Sequence, residues 1–248
     1  MTIPLFQLIE IETCNACTRQ CWYCLHGQRP PMPRVDMPSE TIDAILTELG
    51  ELQYTGWINF FSANEPLLDS RMPQLIMQAK ALVPSARTRI FTNGDLLTQR
   101  LLDTLLRSGL TALKISLHDV AALDKIEKLS LPAQVQVGHY YRNPCAVWRN
   151  HAGLIPQTPY DGRYAHWTCP RPSWNLVLRY DGQLKLCADD MAGVAFPDAL
   201  RFPSQSLRQL WESLEMEHYR ALLAAGRRAE LALCRDCNFI HPAESRPI

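Results

Sequence analysis

The sequence predicts an α/β protein with two parts. Short apolar segments typical of strands alternate with amphipathic segments typical of helices five or six times between residue 5 and about residue 140. Such alternation indicates right-handed βαβ units and a parallel sheet. Beyond about residue 150 the alternation stops, and a hairpin signal and a helix follow. We therefore expect two domains, at residues 1–155 and 156–248.

Five strands and four helices are predicted in the first part. The first strand, at residues 5–12, leads directly into a cluster of cysteines, and Ser39 is of a type that N-caps helices. Each strand ends in a polar loop, which is where parallel sheets place functional sites. The other predicted strands are 57–61, 88–91, 113–117 and 134–140, and the helices after the first are 72–83, 97–108 and 121–128.

The second part is predicted from a β-rich segment and a closing pair of cysteines. Two strand-like runs flank Asp181-Gly182 in WNLVLRYDGQLKLC, and Asp-Gly between such runs is a strong hairpin signal. An amphipathic helix around Trp211 follows, and CRDC places the last cysteine at Cys237. These elements predict a small α+β subdomain.

Composition and charge exclude several classes of protein. The chain has 248 residues, 47% hydrophobic and 20% charged, which is typical of globular proteins and not of disordered ones. Its 25 basic residues equal its 25 acidic ones, which argues against nucleic-acid or membrane partners. No apolar run approaches the roughly 18 residues of a membrane span, and the start lacks a signal peptide, so we expect a cytoplasmic protein. In that compartment, nine clustered cysteines point to metal ligands.

Three cysteines form the most specific motif of the chain. Cys17, Cys21 and Cys24 follow the first predicted strand with C-x3-C-x2-C spacing, and Tyr23 precedes the last of them. Three thiolates on one loop can hold three irons of a [4Fe–4S] cluster and leave the fourth iron open. Zinc is the alternative, if a neighbouring side chain supplies its fourth ligand. The candidates for that ligand are Cys14 and His26.

The motif resembles the signature of the radical S-adenosylmethionine (SAM) enzymes, whose fold is a partial (β/α)6 barrel of the TIM type. The loops NEP, FTNG and SLH, after the second, third and fourth predicted strands, are similar to the cofactor-binding loops of that family, although Ala63 and Asn64 stand where the family has glycines. The residues that the resemblance assigns to SAM are Tyr23, Asn64, Glu65, Asn93, Ser116 and His118. Arg142 is a further candidate, as the partner of a carboxylate on SAM or on the substrate.

A second set of cysteines lies in the C-terminal part. Cys169, Cys187, Cys234 and Cys237 have C-x17-C-x46-C-x2-C spacing, and four thiolates are what a fully protein-ligated cluster or a structural zinc requires. The hairpin between the first two cysteines and the helix before the last two resemble the twitch subdomain, the shortened SPASM domain of radical SAM enzymes. The resemblance implies an auxiliary [4Fe–4S] cluster here, with zinc as the alternative.

The resemblance also implies a reaction. A reduced cluster gives one electron to SAM, and the resulting 5′-deoxyadenosyl radical removes a hydrogen atom from the substrate. Among twitch-bearing enzymes, the chain is most similar to those that oxidise a secondary alcohol of an aminocyclitol in natural-product biosynthesis. The auxiliary cluster is then the candidate acceptor of the second electron, and His151 the candidate acceptor of the proton. His151 stands in NHAG, where the family has Asn-Arg-Gly-Gly. A flavodoxin- or ferredoxin-type protein is the expected electron donor.

Other functions stay open at the level of sequence. Cys145, at the end of the last predicted barrel strand, could donate a hydrogen atom to a substrate radical, which would make the reaction an epimerisation. Many SPASM and twitch enzymes modify ribosomal peptides, so peptide crosslinking or epimerisation is a second hypothesis. A zinc-stabilised binding module without catalysis is the third. Cys14 is interpreted as a small buried apolar residue.

Overall fold

The strands of the protein form one continuous sheet. The computed structural model describes residues 5–139, 149–158, 160–196 and 198–240. The strands in these ranges are β1 (Leu8–Ile11), β2 (Trp57–Asn59), β3 (Arg87–Thr92), β4 (Ala112–Leu117), β5 (Val135–His139), β6 (Asn175–Leu178) and β7 (Leu184–Lys185). Their order is β5-β4-β3-β2-β1-β6-β7, and every neighbouring pair is parallel except β6 and β7. The predicted α/β class is confirmed.

The helices of the described residues are α1 (Leu25–Gln28), α2 (Ser39–Glu51), α3 (Met72–Leu82), α4 (Gln99–Arg107), α5 (Val120–Ile126), α6 (Leu207–Trp211) and α7 (Leu214–Ala224). All of them except α1 contribute buried residues to one hydrophobic core with the sheet. The apolar stripe of α2 repeats at helical spacing and is fully buried against the core that contains Ile58 and Ile90 of the sheet. No helix in the described part of the chain is long and apolar enough to cross a membrane.

The other face of the sheet carries polar and charged side chains. Glu10 of β1 lies beside Asn59 of β2, and Asn59 lies beside Arg89 of β3, whose Nε donates to Asn59 Oδ1 at 2.9 Å. Lys185 of β7 is fully buried, and its Nζ donates to Ser62 Oγ at 3.0 Å. Neighbouring residues in register on a parallel sheet point to the same side. This side is therefore the polar interior of an open barrel.

The boundaries of several elements differ from prediction. Ser39 was predicted to be the N-cap of α2, but it is the first residue of the helix, and Pro38 occupies the cap position. The Ser39 Oγ accepts a hydrogen bond from Arg71 Nη1 at 2.8 Å. The prediction of Ser39 as a cap was wrong because the preceding proline already supplies an extended backbone at that position. Strand β1 is shorter than its predicted range of 5–12, and β2 ends at Asn59, two residues before its predicted end.

The predicted hairpin is present and extends the sheet. Val177 pairs with Lys185 across the turn at Asp181-Gly182, and Gly182 has φ +84°. A Cβ on Gly182 would lie 2.1 Å from the carbonyl oxygen of Phe202, so only glycine fits this turn. Strand β6 pairs with β1 at the edge of the barrel, and one hydrophobic core runs through both parts of the chain. The boundary between residues 155 and 156 stays a prediction.

Candidate functional site

The three cysteines of the first motif lie on one loop that follows β1 and ends at α1. Two backbone hydrogen bonds give the loop its turns, from Cys24 N to the Cys21 oxygen and from Gly27 N to the Cys24 oxygen, both 3.0 Å. A Cβ on Gly27 would lie 2.2 Å from the Cys21 oxygen, so the loop requires glycine there. The thiols are partly accessible. The loop therefore presents three thiols beside the carboxyl ends of the parallel strands.

Hydrogen-bond donors surround the first of these thiols. The backbone N–H of Arg19 lies 3.5 Å from Cys17 Sγ, and Asn93 Nδ2 lies 3.8 Å from it. Burial and the charges of Glu65, Cys24 and Cys21 raise the pKa of the Cys17 thiol to about 12. A bound iron would replace the proton of such a thiol, and the two donors would stabilise the thiolate. These residues fit an iron–sulfur ligand.

Arg19 fastens the cysteine loop to two other loops. Its guanidinium donates to Asp95 through Nε at 2.8 Å and Nη2 at 2.5 Å, and to Asp119 Oδ2 through Nη1 at 2.5 Å. Asp95 follows β3, and Asp119 follows β4 and caps α5 by accepting from Ala122 N at 2.7 Å. The hydrogen bond with Asp95 raises the pKa of Arg19. No local motif marks this anchor, because the acidic partners lie 76 and 100 residues away in sequence.

Glu65 braces the loops after β2 and β3 from within. Its side chain is 2% exposed and accepts from Leu67 N at 3.0 Å, Thr92 Oγ1 at 2.7 Å and Asn93 N at 2.8 Å. Burial raises the pKa of this carboxyl, and the hydrogen bonds oppose that shift. Its backbone N–H donates to the Ala16 oxygen at 2.9 Å, one residue before the first cluster cysteine. Three N–H and O–H donors already satisfy most of the carboxylate.

The two asparagines assigned to SAM have different surroundings. Asn93 Nδ2 donates to Thr18 Oγ1 at 2.9 Å, which places its side chain against the cysteine loop. Asn64 is 4% exposed and points inward, with Nδ2 at 3.3 Å from Thr13 Oγ1 and 3.8 Å from Cys14 Sγ. Cys14 itself is completely buried, in keeping with its interpretation as a small apolar residue.

Tyr23 and His118 meet across the open end of the barrel. The Tyr23 hydroxyl lies 2.6 Å from His118 Nδ1, and the two rings stack with centroids 5.8 Å apart. Burial lowers the pKa of His118, so its imidazole is neutral near pH 7. Ser116, two residues earlier on β4, is half-buried. The pair gives the cysteine loop a flat aromatic wall, which is a suitable surface for an adenine ring.

The second cysteine set converges on one cavity. Cys169, Cys187, Cys234 and Cys237 all line it, although Cys169 and Cys237 are 68 positions apart in the chain. Burial raises the pKa of the Cys187 and Cys234 thiols, and it raises that of Cys237 to about 11. The neighbouring thiols add to each of these shifts. The structure thus brings together the four cysteines that were predicted to act as one ligand set.

Two metal centres are compatible with these donors. Four thiols could bind one tetrahedral zinc ion, with each sulfur about 2.3 Å from the metal, or they could each bind a different iron of a larger cluster. Of the two candidates for a fourth zinc ligand at the first motif, His26 donates through Nε2 to the Ala63 oxygen at 2.6 Å, and Cys14 is completely buried.

A histidine and a buried aspartate lie beside the four-thiol cavity. Asp189 lines the cavity, is 2% exposed, and accepts from His151 Nδ1 at 2.8 Å and from Arg171 Nη1. Burial alone would raise the pKa of Asp189, but the charge of Arg171 and the hydrogen bond from His151 hold it well below its usual range. His151 and Ala152 have φ of 45° and 58°, a left-handed backbone that is rare outside glycine. Asp189 was not among the predicted site residues.

Two predicted site residues lie outside the described residues. They are Arg142 and Cys145. Their predicted roles, as the partner of a carboxylate and as a hydrogen-atom donor, stay predictions.

The fold and the first cysteine motif define the class of the protein. Residues 11–130 match the model of the Radical SAM superfamily, so the chain carries a radical SAM domain, which uses SAM and a [4Fe–4S] cluster. The chain is 26% identical, over 94% of its length and 93% of the relative's, to the S-adenosyl-L-methionine-dependent 2-deoxy-scyllo-inosamine dehydrogenase of Niallia circulans. It is 29% identical to the PqqA peptide cyclase of Granulibacter bethesdensis, over 47% of this chain and 30% of that one.

Two solved structures are similar to this chain over most of its length. A crystal structure of BtrN in complex with AdoMet and 2-DOIA matches with a TM-score of 0.83 and 25% identity, over 96% of this chain and 95% of that one. A structure of anSMEcpe with bound AdoMet matches with a TM-score of 0.59 and 11% identity, over 94% and 89% of the two chains, which is a likeness of fold alone.

Proposed function

We propose that the protein is a SAM-dependent dehydrogenase that oxidises an alcohol of a small polar metabolite of the aminocyclitol type in natural-product biosynthesis. One structural observation carries this proposal: the His151–Asp189 pair lies directly beside the four-thiol cavity. Oxidation of an alcohol to a ketone removes two electrons and two protons from the substrate. One electron and one proton leave together as the hydrogen atom that is abstracted at the first site, so the remaining electron and the remaining proton each require an acceptor.

The first site would hold the radical-generating cofactors. Bound at Cys17, Cys21 and Cys24, the [4Fe–4S] cluster and SAM would supply the removal of a hydrogen atom from an unactivated C–H bond. The side chains that we assign to SAM are Tyr23, Glu65, Asn93, Ser116 and His118, together with Asn64 through its backbone. Of these, Asn93 and the Tyr23–His118 pair border the cysteine loop directly. Arg142 is kept as a candidate.

His151 is well placed to accept the substrate proton. The ionised carboxylate of Asp189 can only accept, so the proton on His151 lies at Nδ1 and the lone pair lies at Nε2. The hydrogen bond fixes the orientation of the ring, as the left-handed backbone at residues 151 and 152 fixes its position. Asp189 is further held by Arg171, so the pair is rigid before any substrate binds.

The auxiliary cluster is part of the proposal. The four thiols around one cavity would hold a [4Fe–4S] cluster of the twitch type, which could accept the second electron. One of them, Cys187, lies two residues before Asp189 in the sequence. The cytoplasmic location and a flavodoxin- or ferredoxin-type donor complete the proposal, because both clusters require reducing conditions.

The peptide-modifying hypothesis has less support. The similarity to the peptide cyclase covers about half of this chain, whereas the similarity to the dehydrogenase of a small aminocyclitol covers 94% of it.

The proposal is tested with the reduced, reconstituted protein. Incubation with SAM and 2-deoxy-scyllo-inosamine is expected to give 5′-deoxyadenosine and a product two mass units lighter than the substrate. A panel of other aminocyclitols and short peptides is run in parallel. An unchanged mass with solvent deuterium incorporated would indicate epimerisation, and a crosslinked peptide would favour the second hypothesis. Either result would contradict the proposed dehydrogenase.

A further inference from the structure

Arg228 is a fully buried cation in the second part of the chain. It begins the short 3₁₀ turn Arg228–Glu230 and is 1% exposed. Its guanidinium donates to three backbone carbonyls: Nε to Trp167 at 2.8 Å, Nη2 to Thr168 at 2.6 Å and Nη1 to Phe239 at 2.7 Å. Each of the three guanidinium nitrogens therefore donates one hydrogen bond.

The carbonyls that Arg228 holds belong to the segments that carry cluster cysteines. Trp167 and Thr168 directly precede Cys169, and Phe239 follows Cys237 by two residues. Arg228 therefore joins the first and the last cysteine of the set, which are distant in sequence. It also lines the same cavity as the four thiols.

No carboxylate neutralises this guanidinium among the residues that the structure describes. Arg171, which lines the same cavity, is paired with Asp189, and the neighbouring Arg227 is paired with Glu230 on the surface. Arg228 takes part in none of the ion pairs of the described ranges. An unpaired charge away from water is strongly unfavourable. Four groups that become anionic when they bind a metal, the thiols of the second cysteine set, line the same cavity as Arg228.

We propose that Arg228 is the positioning residue of the auxiliary metal centre, with two roles. Its charge offsets the negative charge of four thiolates around a metal cluster, and its three hydrogen bonds hold the segments of Cys169 and Cys237 at the cavity. This inference rests on the proposed function, which assigns a [4Fe–4S] cluster to these cysteines. Reduction adds one negative charge to such a cluster, so a fixed nearby cation favours the reduced state.

The test uses the full chain with its first motif disabled. Cys17, Cys21 and Cys24 are replaced by Ala, so that iron can bind only at the second set, and this variant is the parent for the comparison. Three further substitutions are made in it: Arg228→Gln, Arg228→Lys and, as the matched control, Arg227→Gln. Metal content, thermal unfolding and the midpoint potential of the cluster, followed by electron paramagnetic resonance, are measured for each.

Arg228→Gln is expected to lose at least half of the bound iron and to shift the midpoint potential of the remaining cluster to more negative values. Arg228→Lys keeps the charge, but its three donors share one nitrogen and do not reproduce the three separate nitrogens of the guanidinium, so it is expected to lose iron with a smaller shift in potential. Arg227→Gln is expected to change neither. A purely structural role would lower the iron content without moving the potential.

Two results would overturn the inference. One is an Arg228→Gln variant with the iron content and the midpoint potential of the parent. The other, which decides the matter if Arg228→Gln does not fold, is an Arg228→Lys variant with the parent's iron content and thermal midpoint. A parent that binds zinc would refute the proposed auxiliary [4Fe–4S] cluster, and the zinc content of Arg228→Gln against Arg227→Gln would still decide the role of Arg228.

Discussion

The two cysteine regions of the protein differ in how their charges are balanced. In the first region, the guanidinium of Arg19 is shared by Asp95 and Asp119, and the carboxylate of Glu65 is bound by three donors. In the second region, the partners of Arg228 among the described residues are backbone carbonyls, and four thiols share its cavity. The charged groups named in the first region are therefore paired within the described protein, whereas Arg228 has no carboxylate partner in the described ranges.

This difference separates two uses of the same ligand. Three partly accessible thiols on one loop suit a cluster in which three irons have protein ligands and the fourth iron is free to bind SAM. In the proposed function, the four thiols enclosed with arginines would hold a cluster that only gains and loses an electron. The fold of the second region would then depend on that cluster, because the cluster would balance the charge of Arg228.

The largest effects are expected from removing ligands of either set. Cys17→Ala is expected to abolish formation of 5′-deoxyadenosine, because the cluster that reduces SAM would be lost. Cys234→Ala is expected to keep 5′-deoxyadenosine formation but to abolish formation of the ketone, because the second electron would have no acceptor. Both products are quantified by liquid chromatography with mass detection.

Cys14→Ala is the control for these variants. It removes a buried thiol that belongs to neither set, so 5′-deoxyadenosine and ketone should both form at the rate of the wild-type protein. Ketone formation by Cys234→Ala at the wild-type rate would show that the two sets do not have separate roles.

The next effect concerns the proton acceptor beside the second set. His151→Ala is expected to lower the rate of ketone formation by about 10²–10⁴-fold, which is the usual contribution of a general base. Formation of 5′-deoxyadenosine should persist, because the first region is unchanged. The exposed histidine His166 provides the control, and His166→Ala should form the ketone at the wild-type rate. Equal rates of ketone formation for the two variants would show that His151 is not the proton acceptor.

Metal removal should affect the two regions unequally. In the chelated protein, amide hydrogen exchange around residues 167–169 and 228–239 is expected to accelerate by roughly 100-fold, since the unpaired Arg228 destabilises that region without its anion. Exchange in residues 14–24 should change much less, because Arg19 keeps its carboxylate partners. A larger acceleration of exchange in residues 14–24 than in residues 167–169 and 228–239 would contradict the proposed difference between the two regions.

The smallest effect concerns the hairpin that carries Cys187. Burial would raise the pKa of Asp181, but the hydrogen bond and charge of Arg179 lower it to about 2, below the value of about 3.9 for an unfolded chain. The ionised form therefore stabilises the fold above about pH 4. Asp181→Asn is expected to lower the free energy of unfolding by about 2 kcal/mol at pH 7. This difference should vanish as the pH falls from about 4 to about 2.

The control for this variant is an exposed pair of the same kind. Asp161 forms a forked ion pair with Arg163 two residues away, as Asp181 does with Arg179, but both partners are open to solvent. Asp161→Asn should leave the urea unfolding curve unchanged at both pH values. Equal destabilisation by the two variants would show that the partial burial of the Asp181–Arg179 pair does not increase its contribution to stability.

Local sequence patterns predicted much of this structure. The alternation of apolar strands and amphipathic helices predicted β1 to β5 and the helices α2 to α5, because period and capping are properties of neighbouring residues. The four cysteines that their spacing grouped as the second set line one cavity. Asp181-Gly182 predicted the hairpin, because only glycine fits that turn.

Contacts between distant segments escaped these patterns. The pairing of β6 with β1 joins segments more than 160 residues apart, and nothing in the period of either strand specifies its neighbour. Arg19, Asp189 and Arg228 were missed for the same reason, since an isolated arginine or aspartate looks like any surface charge until its burial is known. Ser39 was misplaced by one position because the proline before it takes the cap position.

The most direct test of the two-centre account is the iron content of three proteins, with the cluster type determined by Mössbauer spectroscopy. The reconstituted wild-type protein should bind about eight irons per chain in two [4Fe–4S] clusters. The variant without Cys17, Cys21 and Cys24 and the variant without Cys169, Cys187, Cys234 and Cys237 should each bind about four. A wild-type protein with about four irons, or a variant of the first motif that holds zinc and no iron, would contradict the account.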